Sequence, residues 1–379
     1  MRIGILTLPL HTNYGGILQA YALQTVLERM GNEVYIIGSK FIPQDEPFKK
    51  KFKWILRQIK FLITHGRHIP FNYSKAQQYM YNARTLYTSN FIKEHIHEKV
   101  VESLHDIAPN DYDAIVVGSD QIWRTQYNQK WLRQNVDDVY LGFTRDWNIR
   151  RIAYAASFGT NLLEIEDADL ESCKKAMALF DAVSVREDSG INICNKQLNV
   201  NAVVMPDPTM LLTKDDYMQL IHKEHKSNKH QLLSYILSES ADNAKLRMEI
   251  AKRKHLEINI VNNPINSDKY KDLSSQPPVE NWLCGFADCD YVITDSFHAC
   301  VFSILFHKPF TAIANKSGGV ARFVSLLKMF GLENRLLFSV DEYKDMPDID
   351  WENIDSVINE NREKGLNFLK NSLYGSICN

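Results

Sequence analysis

Short apolar runs alternate with segments of helical periodicity along the first half of the chain. Residues 2–7 (RIGILT) predict a buried strand, and the apolar spacing of residues 15–30 predicts a helix. The run at 33–37 completes a β-α-β unit. Further strands are predicted at 114–117, 152–156 and 182–185. This alternation is typical of a parallel sheet covered by helices.

A second series with the same alternation follows Pro206 and Pro208, two prolines that stop a helix from continuing. Its predicted strands are 231–237, 257–261, 291–293 and 309–313, and its predicted helices are 242–254, 297–306 and 351–373, with two more beginning after Pro277-Pro278 and Gly318-Gly319. We therefore expect two α/β domains joined by a linker at Pro206 to Pro208, with a ligand site in the cleft between them.

Polar or small residues follow three predicted strands of the first domain. Ser119 and Asp120 follow the strand at 114–117, and Ser157 follows the strand at 152–156. Arg186 follows the strand at 182–185 and is the one cation directly at such an end. Because ligands bind at the carboxyl ends of strands in open α/β sheets, these side chains are candidates for a binding site.

Arg186 has two interpretations. As a functional residue, its guanidinium would clamp a phosphate or carboxylate in bidentate fashion. Alternatively, it pairs with Glu187 or Asp188 as a structural ion pair. The first interpretation is the one adopted here.

The first β-α turn contains Asn13-Tyr14-Gly15-Gly16. Two glycines at a helix N-terminus let the backbone approach a ligand closely. The spacing differs from the GxGxxG dinucleotide fingerprint, so it does not support NAD binding. The alternative is that the glycines only allow tight packing of strand and helix.

The stretch 291–310 (YVITDSFHACVFSILFHKPF) combines a buried strand with an apolar helix. Thr294, Asp295 and Ser296 are capping residues between them. His298 therefore lies in the first helical turn, where free N–H groups and the helix dipole favour an anion. A histidine there can donate a proton to an anionic substrate. The alternative is a core histidine held by the cap.

Composition narrows the functional class. The 379 residues are 45% hydrophobic with a formal net charge of −2, so the molecule as a whole does not bind polyanions. The six cysteines are scattered, and the closest pair, Cys284 and Cys289, has no second pair to form a zinc site with it. Neither a metal nor any other cofactor is predicted. We expect a protein of the reducing cytoplasm, because the cysteines of this large α/β-patterned chain look unpaired. The first apolar run is too short to span a membrane and lacks a signal cleavage site.

Residues 47–93 differ from the rest, with ten Lys or Arg and no Asp or Glu. Trp54, Ile55, Ile59, Leu62 and Ile63 lie among these cations at helical spacing. A basic amphipathic helix can lie on an anionic membrane surface. It can equally be a solvated helix packed on the domain. No nucleic-acid motif accompanies the segment, so binding of nucleic acid is not expected.

Taken in order, several motifs resemble the polysaccharide pyruvyl transferase family. They are Asn13-Tyr14-Gly15-Gly16 followed by residues 18–23 (LQAYAL), 117–123 (VGSDQIW), 154–159 (YAASFG), 184–187 (SVRE), 207–209 (DPT) and 294–298 (TDSFH). Each motif is weak alone, but the ordered set spans most of the chain. The basic segment 47–93 carries no diagnostic motif.

The resemblance implies two Rossmann-like domains in a GT-B-like arrangement, with the active site in the interdomain cleft. The first domain would be 1–206, completed by a C-terminal helix at 351–379, and the second would be 207–350. The implied reaction transfers the enolpyruvyl unit of phosphoenolpyruvate onto two hydroxyls of a sugar, forming a cyclic pyruvate ketal for a cell-surface polysaccharide. The acceptor would be a saccharide, and a lipid-linked one would place the enzyme at the inner face of the membrane through 47–93.

The resemblance also assigns roles to residues. His298 matches the histidine that supports the chemistry, and Asp295 would keep it charged. Family members often read Arg-Leu-His where this chain has Ser296-Phe297-His298, so the Arg that holds the donor is Ser296 here. The predicted donor-binding residues are Arg186, Ser296, Lys308, Arg322, Gly15 and Gly16, and the predicted acceptor-binding residues are Asn13, Ser119, Asp120 and Ser157.

Two other functions stay open at this stage. A glycosyltransferase of the same architecture would bind a nucleotide sugar. A non-catalytic relative would bind saccharide without turnover, and the replacement of the family Arg by Ser296 favours that alternative.

Overall fold

A computed structural model describes residues 1–43, 45–65, 70–127, 135–221, 230–262, 275–314 and 319–375. The strands assigned in these ranges form two sheets in which every pairing is parallel. Arg67, part of the predicted basic segment, and Gly318, part of the second glycine turn, lie outside the described residues.

The first sheet has seven strands in the order β3-β2-β1-β4-β5-β6-β7. They are β1 (Arg2–Leu6), β2 (Glu33–Ser39), β3 (Glu98–Val101), β4 (Ala114–Val117), β5 (Arg150–Ala156), β6 (Ala182–Val185) and β7 (Val203–Val204). The helices that follow or connect them are α1 (Tyr14–Arg29), α2 (Phe48–His65), α3 (Tyr73–Arg84), α4 (Leu86–His95), α5 (Thr125–Tyr127), α6 (Asp167–Met177) and α7 (Asp188–Gln197). The chain order reverses between β1 and β4, which leaves a crevice at their carboxyl ends.

The second sheet has five strands in the order β12-β11-β10-β8-β9. They are β8 (Gln231–Tyr235), β9 (Glu257–Ile260), β10 (Tyr291–Thr294), β11 (Phe310–Ile313) and β12 (Leu336–Leu337). The remaining helices are α8 (Lys214–Met218), α9 (Ala241–Lys254), α10 (Val279–Asp288), α11 (Phe297–Leu305), α12 (Val320–Phe330) and α13 (Trp351–Tyr374). Two parallel sheets with alternating helices confirm the predicted pair of Rossmann-like domains in a GT-B-like arrangement.

The apolar strands of both sheets are covered on both faces, as parallel sheets require. All four residues of β4 are buried, and so are all four of β10. Within the described ranges, no helix combines the length and the apolar content that a membrane span requires.

The stretch from Pro206 to Pro208, predicted as a linker, is buried in the structure. Asp207, Thr209, Met210 and Leu212 are all buried, and residues 208–211 form a short 3₁₀ turn that packs against α1, α11 and α13. Its apolar side chains join one core that extends into both sheets. The join between the domains is therefore part of the protein interior rather than an exposed connection.

The C-terminal helix α13 crosses back to the first sheet. Arg150, the first residue of β5, donates to the carbonyls of Ser372 and Gly375 at the end of α13. Arg362 of α13 also donates to the carbonyl of Leu212, at a distance of 3.1 Å. These bonds fix α13 across the join between the domains.

Candidate active site

His298 lies between the two domains. Ser296 caps α11, since its hydroxyl accepts a weak hydrogen bond from the Ala299 N–H at 3.5 Å. His298 follows in the first turn of α11 and is buried, with a relative exposure of 5%. Its ring reaches the N-terminal turn of α1 in the other domain, where a Cβ built on Gly15 would overlap the imidazole. Gly15 is therefore needed because the two domains touch at this point.

Asp207 lies at the centre of the cluster of side chains around His298. One carboxylate oxygen accepts from Arg186 Nη1 at 2.7 Å and lies 3.5 Å from His298 Nε2. The same oxygen accepts from the Ser119 hydroxyl at 3.1 Å. The other accepts from the Thr209 N–H at 3.0 Å and from the Thr209 hydroxyl at 2.7 Å. A carboxylate with this many donors is held ionised in one position.

The electrostatics of Asp207 agree with this geometry. Burial alone would raise its pKa, but the charges of His298 and Arg186 and the hydrogen bonds it accepts lower the pKa well below its ordinary value. Asp207 is therefore an anion throughout the physiological range. This anion lies 3.5 Å from His298 Nε2, within ion-pair distance.

Arg186 and Arg322 both stack on the ring of Phe297. The guanidinium carbon lies 4.5 Å from the ring centroid for Arg186 and 5.7 Å for Arg322. Nε and Nη2 of Arg186 and Nε of Arg322 are buried and form no hydrogen bond with the described residues. His298 Nε2 shares this property, although Asp207 is within ion-pair distance. Buried donors without a hydrogen bond are uncommon in native proteins, and their grouping here favours the binding of an anion.

Arg322 keeps its charge at neutral pH despite its surroundings. Burial and the nearby charge of Arg186 lower its pKa to about 10. Gly319, with φ of +91°, brings its backbone against the guanidinium, and a Cβ there would overlap Arg322. The second glycine turn thus positions an arginine, and this arginine faces the cation from the first domain.

Glu187 is a second buried carboxylate beside the arginines, and the sequence analysis gave it no functional role. Its Oε1 accepts from the hydroxyl of Ser157 and the N–H of Phe158, both at 2.9 Å, while Oε2 forms no hydrogen bond with the described residues. Ser157 and Ser119 are both fully buried. Their hydroxyls hold Glu187 and Asp207, so the prediction that they contact an acceptor sugar is not supported by this geometry.

Asp120 and Asn13 are placed differently from the two serines. They line a small pocket at the carboxyl end of β1 together with Gly16 and Leu10. Asn13 precedes α1, and its side chain makes no capping hydrogen bond. Asp120 has φ of +66°, a left-handed conformation that non-glycine residues rarely adopt, and such strain concentrates at functional sites. These two residues remain the predicted acceptor contacts, with Gly16 between them.

Asp295 does not contact His298 as predicted. Its carboxylate accepts from the N–H groups of Leu237 and Ser238, at 2.6 and 2.9 Å. It therefore ties the end of β10 to the end of β8. Burial raises its pKa, and those backbone hydrogen bonds oppose the rise. Asp207 lies beside His298, in the position predicted for Asp295.

Lys308 and Ser296 are not brought to an anion site either. Lys308 precedes β11 at the amino end of the sheet, and its Nζ donates to the carbonyls of Ala287 and Cys289 at the end of α10. Ser296 serves as the helix cap. The structure thus groups His298, Arg186 and Arg322 from the predicted set and adds Asp207 and Glu187. Both carboxylates lie in the motifs that resemble the family. Glu187 follows Arg186, and Asp207 lies between two prolines, and the sequence contains no other signal that marks them.

Comparison with known proteins assigns the family. The sequence model of the polysaccharide pyruvyl transferases matches residues 13–317, which include every residue of the cluster except Arg322. No curated protein sequence matches the chain.

Solved structures give a likeness of fold only. A UDP-GlcNAc 2-epimerase from Neisseria meningitidis is 9% identical with a TM-score of 0.46, covering 98% of this chain and 94% of that one. Arabidopsis thaliana UGT89C1, solved with UDP-L-rhamnose, is 8% identical with a TM-score of 0.49, covering 97% and 98%. The family match covers most of the chain, and the chain therefore belongs to the polysaccharide pyruvyl transferase family.

Proposed function

We propose that the protein transfers the enolpyruvyl unit of phosphoenolpyruvate onto two hydroxyls of one sugar, forming a cyclic pyruvate ketal of a cell-surface polysaccharide. The observation that carries this proposal is the set of buried guanidinium donors on Arg186 and Arg322 that form no hydrogen bond with the described residues, beside His298. Arg186 Nη2 also lies 3.8 Å from Asp120 Oδ1, at ion-pair distance. Phosphoenolpyruvate carries a phosphate and a carboxylate close together, which two arginines and one proton donor match in charge.

The two arginines contact the donor from different domains. Arg186 is fixed by Asp207, so it presents Nε and Nη2 in one orientation. Arg322 comes from α12 of the second domain. A dianionic or trianionic ligand between them relieves the repulsion of two like charges, and each charge-assisted hydrogen bond contributes about 1.5–3 kcal/mol. The missing family arginine at Ser296 is replaced in this scheme by Arg322.

His298 supplies the proton that makes C2 electrophilic. Its imidazolium protonates C3 of the enol, which turns the methylene into a methyl group and leaves a cation at C2 stabilised by the phosphate-bearing oxygen. Asp207 does not take the proton. It stabilises the imidazolium and holds its Nε2, as a positioning residue.

The remaining steps build the ketal. One sugar hydroxyl adds to C2 and gives up its proton, and the C2–O bond to phosphate then breaks with its electron pair. The second hydroxyl adds to the renewed cation and loses its proton. Of the two protons released, one restores His298 and the other leaves with phosphate. Asp120, beside Asn13 in the open pocket, is the carboxylate we assign to the hydroxyl side.

Phosphate release tests this proposal. Purified protein is incubated with phosphoenolpyruvate and a panel of galactose- and N-acetylmannosamine-type acceptors, and inorganic phosphate is measured. We expect acceptor-dependent release, reduced about 10²- to 10⁴-fold in kcat by His298→Asn, because the amide cannot supply a proton. His230→Asn is the matched control, since His230 is exposed and far from the cluster in the fold.

Two outcomes would overturn the proposal. Release that is unchanged in His298→Asn would make the histidine structural. No release, with no thermal protection by phosphoenolpyruvate but protection by a nucleoside diphosphate, would favour the glycosyltransferase alternative.

A further inference from the structure

Helix α2 carries a continuous row of exposed apolar side chains that the proposed reaction does not use. They are Phe48, Phe52, Ile55, Leu56, Ile59, Leu62 and Ile63, and the two at the ends of the row, Phe48 and Ile63, are 81% and 79% exposed. At about 100° per residue these seven positions cover an arc of roughly 120° on one side of the helix. Isolated exposed apolar residues are ordinary, but a contiguous row of this length marks an interaction surface.

The opposite side of α2 holds the helix on the protein. Trp54 and Gln58 are buried, and Trp54 packs against Tyr73 and Ala76 of α3. These positions lie about 100–140° from the centre of the exposed arc. The apolar row is therefore not a core face that the fold has left partly uncovered. It is a second face, separate from the one that packs.

Basic side chains border the apolar row. Lys49, Lys53 and Lys60 follow one edge, and they form no ion pair with the described residues. Lys51 lies at the other edge and pairs with Asp45, while Lys50 pairs with Glu46. The Lys51–Asp45 pair is exposed on both sides and thus weak, and Lys50 is exposed while Glu46 is partly buried. The face combines apolar area with positive charge that the protein does not neutralise.

We infer that this face of α2 docks on an anionic lipid bilayer. The apolar row would enter the boundary between headgroups and acyl chains, and the flanking lysines would contact lipid phosphates and carboxylates. A second copy of the chain is a poor occupant, because two such faces would set lysines against lysines. Docking on a bilayer needs no matching shape on the partner. An anionic bilayer supplies an apolar layer and negative charge, which complement the apolar row and the lysines of this face.

The α2–α3 pair is fixed to the body of the protein at two places. The ring of Phe41, after β2, stacks on Tyr81 of α3 at a centroid distance of 4.2 Å. At the end of α3, the Arg84 carbonyl accepts from the N–H of Gln276, before α10 of the second domain, at 2.9 Å. A bilayer bound at α2 would therefore hold the whole molecule at its surface.

Vesicle co-sedimentation tests the inference on the full chain. Vesicles of phosphatidylcholine with 30% phosphatidylglycerol are compared with pure phosphatidylcholine, at low salt and at about 0.5 M salt. We expect binding to the anionic vesicles that falls at least about tenfold with salt, because screening shortens the reach of the lysines.

Matched variants separate the two parts of the surface. Phe52→Ser with Ile63→Ser should lower the partition coefficient about tenfold or more, as should Lys49→Ser with Lys53→Ser and Lys60→Ser. The controls are Leu162→Ser with Met248→Ser, and Lys175→Ser with Lys252→Ser and Lys370→Ser, which change equally exposed residues elsewhere.

Three results would overturn the inference. They are no binding at low salt, binding unaffected by the α2 variants, and a concentration-dependent dimer that the same variants abolish. None of the variants changes a residue of the cluster around His298, so phosphate release from phosphoenolpyruvate serves as a check that the variants fold. Failure of the proposed reaction would leave the vesicle result intact.

Discussion

At the scale of single residues, Gly15 is where the two domains constrain each other most closely. Gly15→Ala places a methyl group inside the His298 ring, so the imidazole or the first turn of α1 has to move. We expect a loss of about 1–3 kcal/mol in the free energy of unfolding, which is typical of overpacking. Chemical denaturation measures it.

The neighbouring glycine supplies the control. A Cβ at Gly16 meets the Asn13 amide at 3.2 Å, a flexible side chain, so Gly16→Ala should be neutral or stabilising by up to about 1 kcal/mol. If the His298 side chain is the cause, Gly15→Ala should cost little in a His298→Gly background, which removes the ring and the Cβ that a methyl group at Gly15 would overlap. An equal cost in both backgrounds would refute the contact.

Arg322 is the sharper test of donor binding than Arg186. Arg186→Gln would leave Asp207 buried without its cation, and breaking such a pair typically costs about 3–5 kcal/mol of stability. Arg322 forms no ion pair with the described residues, so Arg322→Gln should raise KM for phosphoenolpyruvate about 10- to 100-fold with little change in stability.

Steady-state kinetics with varied phosphoenolpyruvate measures the effect. Arg253→Gln, at an exposed arginine of α9, is the control and should leave KM unchanged. The wild-type KM should stay low through pH 8 and rise only toward the Arg322 pKa of about 10. An unchanged KM in Arg322→Gln would remove this arginine from the donor site.

At the scale of elements, Asp216 joins the start of α8 to the end of α1. It closes a capping box with Thr213 and accepts from Arg29 at 2.6 Å. Burial alone would raise its pKa, but the hydrogen bond from Arg29 and those from Thr213 lower it to about 2. A carboxyl whose pKa is lowered by folding stabilises the protein above its unfolded pKa of about 4. That contribution disappears as pH falls from about 4 to about 2.

The stability of Asp216→Asn should therefore lie below that of the wild type at pH 7 and converge with it near pH 2. Denaturant midpoints measured across this range test the prediction. Asp215→Asn changes the exposed neighbour, which has no ion pair among the described residues, and its difference from the wild type should not vary with pH in this way. Parallel curves for Asp216→Asn and the wild type would refute the assigned link.

Strands and helices were predicted correctly where burial produces a local pattern of apolar residues along the chain. The predicted strands at 114–117 and 182–185 match β4 and β6 residue for residue, and helix 242–254 differs from α9 by one residue. The strands without a prediction lie at sheet edges, where the pattern is weakest. β3 reads Glu-Lys-Val-Val and is mostly exposed, and β12 has only two residues. Neither is long or apolar enough to show a period.

At the scale of the whole molecule, the domains share one interior. Apolar residues of β1, α1, α11 and α13 belong to a single buried cluster, and the turn at 208–211 packs within it. The connection that two prolines predicted to be a linker is therefore a point where both domains and α13 meet. The site residues on either side of it cannot separate widely without exposing this core.

From the sequence alone one can predict the two α/β series, the family and the residues His298, Arg186 and Arg322, because strand periodicity, helix caps and ordered motifs are local properties. Which of these side chains meet depends on the tertiary structure. In the structure, Asp207 rather than Asp295 lies against His298. Ser119 and Ser157 are buried and donate to the carboxylates of Asp207 and Glu187. Lys308 lies at the amino end of the second sheet, away from this cluster. Such pairings join residues tens of positions apart, and only the packing of strands, helices and domains against one another brings them into contact.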